Sequence, residues 1–152
     1  MIKAIIAAVI LICGTASAEE KKIPRGPVDW KPILGMEAKG GKFYIDANSL
    51  STITTASSRK FNTADLMVVF DKETIAISDK KALMFRSKVH TLVIDCETGL
   101  AAPVADLYFK ETMPDRSSKP LGGEKYPADP IHTMYHVDKK SVIYNVLCPN
   151  II

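Results

Sequence analysis

The sequence predicts an α+β domain: an antiparallel β-sheet with a short C-terminal helix packed on it and tied to it by one disulfide. Three observations predict it. Residues 62–71 and again 83–110 read as strands, their apolar residues falling on faces that repeat with a period of two. Near the C-terminus the apolar period becomes helical. Two cysteines, Cys96 and Cys148, remain for pairing once the N-terminal segment is removed.

That segment, MIKAIIAAVILICGTASAEE, reads as a secretory signal peptide over residues 1–18. Lys3 gives the positive start, Ala4 to Ile12 the apolar stretch, and Ala16-Ser17-Ala18 the small-residue cleavage site, which makes Glu19 the first mature residue. The apolar run falls short of the roughly 20 residues a membrane span needs. Cys13 invites lipidation, but the bulky Ile12 before it is a poor match to that processing, and cleavage after Ala18 removes Cys13 altogether. An exported chain enters an oxidising compartment where disulfides persist. Asp95 and Glu97 flank Cys96 and disfavour its thiolate, so a structural bridge is expected rather than a reactive thiol. Such a bridge stabilises by roughly 4 kcal/mol in the chain-entropy picture.

The mature chain suits a single domain. Residues 19–29 are charged and broken by Pro24, Gly26 and Pro27, and read as a flexible lead-in to a domain over 30–152. The formal charge of +3, which drops by one with Lys3, is too mild to argue for nucleic acid.

Trp30 to Met36 is expected as the first strand. Ala38-Lys39-Gly40-Gly41 signals a turn, and Lys42 to Asp46 returns, with Phe43 and Ile45 on one face. The turn-favouring Asp46-Ala47-Asn48-Ser49 leaves the sheet, and the Ser/Thr-rich 51–61 is expected as loop. Asn62 to Asp71 alternates cleanly, Ala64, Leu66, Val68 and Phe70 facing away from Thr63, Asp65, Met67 and Val69. Residues 72–82 are expected to connect onward, with at most a short strand at 74–77.

Leu83 to Asp95 is the longest expected strand. Phe85, Val89 and Val93 occupy one face; Arg86, Lys88, His90, Leu92 and Ile94 occupy the other. Gly99 turns the chain into Leu100–Lys110, an antiparallel partner, in which Pro103 marks an edge or a bulge because it cannot donate to a ladder. Residues 111–136 contain four prolines and a Gly-Gly pair and are expected as a long irregular excursion, the kind of loop that is functional or disordered. Val142, Ile143, Val146 and Leu147 then form a helical stripe, with Asp138 as N-cap and Pro149 as terminator. Cys148 closes the helix on its apolar side, so a bond to Cys96 would pin it to the central hairpin. A helix this short is marginal on its own in water.

These residues resemble the surface-adhesin protein E family of small exported bacterial proteins. The resemblance rests on Phe43-Tyr44-Ile45-Asp46 followed by Ser49-Leu50, on Val68-Val69-Phe70-Asp71, Arg86-Ser87-Lys88 and Asp95-Cys96, on Leu107-Tyr108-Phe109, and on the helix ending in Cys148. It spans residues 30 to 149. It implies an antiparallel sheet with a disulfide-tied C-terminal helix and a non-enzymatic binding role, some members attaching to host extracellular proteins. The chain departs from the pattern in three places. It lacks the lipidation site of some members, it has Lys110-Glu111-Thr112-Met113-Pro114 where relatives often carry a Gly-rich segment, and it has Tyr135-His136-Val137 where many have a tryptophan.

The residues themselves advertise no catalysis. No nucleophile elbow, zinc-protease helix, phosphate loop, paired-cysteine motif or dinucleotide fingerprint is present. Asp95 and Glu97 sit on a turn and read as a solvated pair. His132 and His136 are four apart, but Pro130 and the absence of a third ligand argue for exposed loop histidines rather than zinc. No metal and no cofactor is expected. Arg86, Lys88 and His90 are the candidate partner-binding residues: lined up on one strand face, they could meet an anionic surface. A solvated face of an antiparallel sheet is the plainer explanation of them. The function expected is that of an exported, non-enzymatic, adhesin-like binding protein recognising a protein or anionic surface partner, the protein belonging to the host extracellular matrix or to the cell envelope. The alternative is a soluble periplasmic accessory or inhibitor protein acting on another envelope protein.

Overall fold

The computed structural model describes residues 27–38, 40–54, 58–126 and 134–149. The expected signal segment, the expected cleavage point at Ala18 and Glu19, most of the expected lead-in, and His132 lie outside them. Eight strands form one antiparallel sheet: β1 (Trp30–Ala38), β2 (Gly41–Asp46), β3 (Ser51–Thr54), β4 (Lys60–Ser78), β5 (Lys81–Asp95), β6 (Leu100–Phe109), β7 (Gly122–Lys125) and β8 (Tyr135–His136). The strand order is β1-β2-β4-β5-β6-β7, with β3 paired to β4 and β8 to β6. The helix α1 spans Val142–Leu147. With one six-residue helix among them, the described residues are mostly β, and the α+β expectation holds only in that a helix does close the fold.

Each strand justifies itself by its alternation. In β4, Ala64 and Leu66 enter one core with Ile45, Leu92, Ile94 and Ala101, and α1 packs on this face through Tyr144 and Leu147. Met67 faces the opposite way and meets Val89 and Phe109 in a second cluster, with Trp30, Tyr44 and Leu107 against it. Both faces are therefore covered, the first by the helix and the second by residues 110–121. That segment crosses the second face and is held at three points. Ser87 Oγ donates to the Glu111 carbonyl (2.6 Å), Trp30 Nε1 donates to the Pro114 carbonyl (2.7 Å), and Arg116 Nη2 reaches the fully buried Asp46 carboxylate (2.7 Å).

The bridge Cys96–Cys148 forms as expected, with Cα atoms 5.8 Å apart. It joins the end of β5 to the residue that caps α1, and both cysteines are buried. Around it, Asn62 Nδ2 donates to the Leu147 carbonyl (2.8 Å), and the Tyr144 hydroxyl donates to the Cys96 carbonyl. The β5–β6 turn closes on Gly99 at φ +77°, where a Cβ would lie 3.0 Å from the Val137 carbonyl, so a side chain would be strained on two counts.

Several local expectations change. The expected loop over 51–61 contains β3, whose Thr52 and Ile53 pair with Asn62 and Phe61; β-branched residues suit an edge strand better than a loop. The expected connection over 72–82 is instead the outer part of one continuous hairpin, because Asp79 and Lys80 both take positive φ and turn the chain in two residues. Pro103 sits at a bulge: Thr91 pairs with Ala105 and Leu92 with Pro103, leaving Val104 unopposed. The extra residue shifts the phase of β6, so Tyr108 shares a face with Ala101 and not with Ala102. Strands β7 and β8 lie within the stretch expected to be irregular throughout. Ser141, not Asp138, is the N-cap, its Oγ accepting from Tyr144 N–H; Asp138 instead accepts from Lys140 N–H in the turn before. The helical stripe is rotated: Tyr144 is buried and Val142 is 38% exposed.

Candidate functional site

Arg86, Lys88 and His90 do lie along β5, but the structure gives them different surroundings. Lys88 and His90 stand opposite Tyr108 and Asp106 of β6. Asp106 is buried, and it gathers three donors: Lys88 Nζ (2.6 Å), His90 Nδ1, and the hydroxyl of Tyr126, just past β7 (2.8 Å). Burial alone would raise the Asp106 carboxyl. The hydrogen bonds from His90, Lys88 and Tyr126 outweigh burial and hold the group well below the ordinary carboxylate range. Burial and the neighbouring Asp106 carboxylate push the Tyr126 hydroxyl far above its usual value. Lys88 also lies over the Tyr108 ring at 5.6 Å. Lys88 thus neutralises a buried carboxylate that also hydrogen-bonds to His90, and the group continues the helix-side face of the sheet past the helix. Lys88 and His90 each keep just over a quarter of the side chain in solvent.

Arg86 is different. It lies opposite the bulge between Val69 and Thr74 of β4. Among the described residues its buried Nε has no hydrogen-bond partner, and Nη2 makes only a 3.4 Å contact to the Asp71 carbonyl. Beyond this point β4 and β5 pair with each other alone: β2 leaves β4 at Phe70, and β6 leaves β5 at Ser87. The resulting two-stranded ribbon packs one side on the sheet. Phe85 meets Phe70 and Tyr108 edge-on, and Ser78 Oγ reaches the Gly123 carbonyl. Leu83 comes so close to Gly122 that a Cβ there would sit 2.6 Å from its methyl. The other side exposes Ile75, Ile77 and Met84, at 64%, 76% and 54%, with Ile75 directly opposite Met84.

A second polar group lies on the face opposite the helix. Asp46 accepts from the Asp29 and Asn48 backbone N–H groups and from Arg116, whose Nη1 lies 3.8 Å from Asp65. Thr91 Oγ1 donates to Asp65. These bonds fasten the 110–121 segment, and hydrogen bonding begins before Trp30, with Asn48 Nδ2 held by the Pro27 carbonyl. At the disulfide end, Arg59 pairs with Asp95 beside an open cleft of about 580 Å³ lined by Thr52, Lys60, Glu97 and both bridged cysteines. Burial raises the Asp95 carboxyl, but Arg59 and the Thr98 and Glu97 amides together bring it below its ordinary value. His136 lies in β8 opposite Leu100.

Arg86, Lys88 and His90 are legible in the sequence as a row; their partition is not. Asp106 gives no warning, because a single aspartate in an alternating strand looks like any solvent-facing residue. The exposed isoleucines fall in a stretch whose charges suggest a connection. Arg116 lies in a segment without periodicity.

The chain's relatives agree with this architecture. The family model described as Surface-adhesin protein E matches residues 30–148. No curated protein sequence matches the chain. Among solved structures, protein E from non-typeable Haemophilus influenzae is similar in fold, with a TM-score of 0.50 at 15% identity over 80% of this chain and 81% of that one. The selenomethionine form of Haemophilus influenzae protein E aligns over 71% of this chain and 79% of its own, at 17% identity and a TM-score of 0.47. From Trp30 to Cys148, the greater part of its length, the chain belongs to the surface-adhesin protein E family.

Proposed function

We propose that this chain is an exported, non-enzymatic binding protein, adhesin-like, recognising a protein partner or an anionic surface. The family match over 30–148 carries the reading. Residues 1–18 act as the signal, cleavage falls between Ala18 and Glu19, and residues 30–152 form the binding domain. The pairing of Cys96 with Cys148 fits an oxidising destination. The architecture fits recognition too: a sheet covered on both faces and stapled at one end is a rigid platform, and it holds out a ribbon with bare apolar side chains. The polar groups best placed to act as acid or base, His90 and Asp106, are engaged with each other and with Lys88 and Tyr126.

Pull-down of the chain beginning at Glu19 against immobilised extracellular-matrix proteins tests the reading, with saturable binding expected at micromolar concentration and no binding overturning it. Fractionation decides the place of action. Digestion of the protein on intact cells by added protease places it at the surface. Protection until the outer membrane is opened favours the periplasmic alternative, acting on another envelope protein.

A further inference from the structure

We infer that the outer ribbon of the β4–β5 hairpin, residues 71–86, docks an extended strand of a protein partner that carries a carboxylate next to apolar side chains. The inference rests on the binding role proposed above and gives that role a location and a ligand chemistry. Three independent features of the ribbon converge on it.

The first is the backbone. Since β2 and β6 both stop short of the ribbon, each of its strands has one ladder edge without a neighbouring strand among the described residues. An added strand can pair along such an edge, as in peptide recognition by strand addition. The second is the apolar face. Ile75, Ile77 and Met84 project together from paired positions, while Leu83 and Phe85 anchor the reverse side on Gly122, Phe70 and Tyr108. The ribbon is thus held in place with its apolar side outward, and alternate side chains of an added strand would lie against it. The third is charge. Asp71, Glu73 and Asp79 are balanced in number by Lys72, Lys80 and Lys81, so Arg86 supplies the ribbon's net positive charge. Among the described residues the exposed end of its guanidinium makes only a 3.4 Å contact to the Asp71 carbonyl, whereas Lys88 and His90 are already committed to Asp106. A planar guanidinium with unmet donors suits a carboxylate. Arg86 is two residues along β5 from Met84, so one short strand can reach both.

The test uses the ¹⁵N-labelled chain beginning at Glu19 and an acetylated peptide of alternating threonine and valine with one central glutamate. A second peptide replaces that glutamate with glutamine. The glutamate peptide is expected to shift amide resonances within 71–86 and to bind about tenfold more tightly than its glutamine counterpart. Arg86→Gln should abolish that preference while retaining weak binding of both. Ile75→Ser with Ile77→Ser should bind neither peptide, with an unchanged one-dimensional spectrum of the core methyls confirming the fold. Equal affinity for the two peptides, shifts centred elsewhere, or no binding at millimolar peptide would overturn the inference. So would a ribbon occupied by a second copy of the chain in sedimentation, or one that binds phosphatidylglycerol vesicles in preference to the peptides. Matrix binding that survives in the double-serine variant would sink the ribbon and leave the adhesin reading standing.

Discussion

The two ends of the β4–β5 hairpin are built on different terms. Near Asn62 and Ile94 the sheet is covered on both sides. The helix and the disulfide hold one face, residues 110–121 hold the other, and Met67, Ile94 and Leu147 have no measurable exposure. Near Ile77 and Ala82 the same two strands continue with cover on one side only, and large apolar side chains face water. The strands are continuous, so the difference lies in what packs on them. Stability is concentrated where three covers meet, and the outer ribbon carries exposed apolar surface that folding alone does not require. Exposed apolar groups that the fold could have done without commonly mark a contact surface.

Changes at the covered end should cost most. Replacing Cys96 and Cys148 together by serine removes a link between residues 52 apart and should lower unfolding free energy by about 4 kcal/mol. Urea titration of the oxidised protein against this variant measures it; equal midpoints would show that the helix is held by packing alone. Next comes the Asp106 cluster. Asp106→Ala leaves Lys88 and His90 without their carboxylate and should cost about 3 kcal/mol. The native carboxyl titrates below its unfolded value of 3.8, so its contribution is complete above pH 4 or so and is lost as the pH falls further toward the folded value. Melting temperatures between pH 5 and pH 2 should therefore fall more steeply for the wild type than for Asp106→Ala, and parallel curves would contradict the assignment. Arg116→Ala should cost about 2 kcal/mol, less than a fully buried pair because the guanidinium is 38% exposed. It should also speed proteolysis within 110–121. At the outer end, Ile77→Ser should change stability by no more than about 0.5 kcal/mol, as chemical denaturation would show.

The same contrast explains what can be read without coordinates. The covered strands announce themselves, because both of their faces are buried and the run is correspondingly apolar: Ala64, Leu66 and Val68 on one face, Met67 and Val69 on the other. The disulfide is legible from cysteine number and compartment. The ribbon is not, because its alternation is diluted by charge, and the turn at Asp79-Lys80 lacks the glycine that usually advertises it. The bulge at Val104 is signalled by Pro103, but its effect on the phase of Tyr108 depends on which residue is left unopposed. The helix cap moves to Ser141 because Asp138 is engaged in the turn before it, a competition between neighbours that spacing does not resolve. The partition of Arg86 from Lys88 and His90 depends on Asp106 lying across the ladder, which is a fact of register.

Native-state hydrogen exchange, followed residue by residue, tests the division most directly. Amides of Ala64–Met67 and Leu92–Ile94 should exchange only through global unfolding. Hydrogen-bonded amides within 74–77 and 82–84 should exchange through a smaller opening, of lower free energy and weak dependence on denaturant. If both groups instead share one opening energy and one denaturant slope, the ribbon is part of the cooperative core and the division fails.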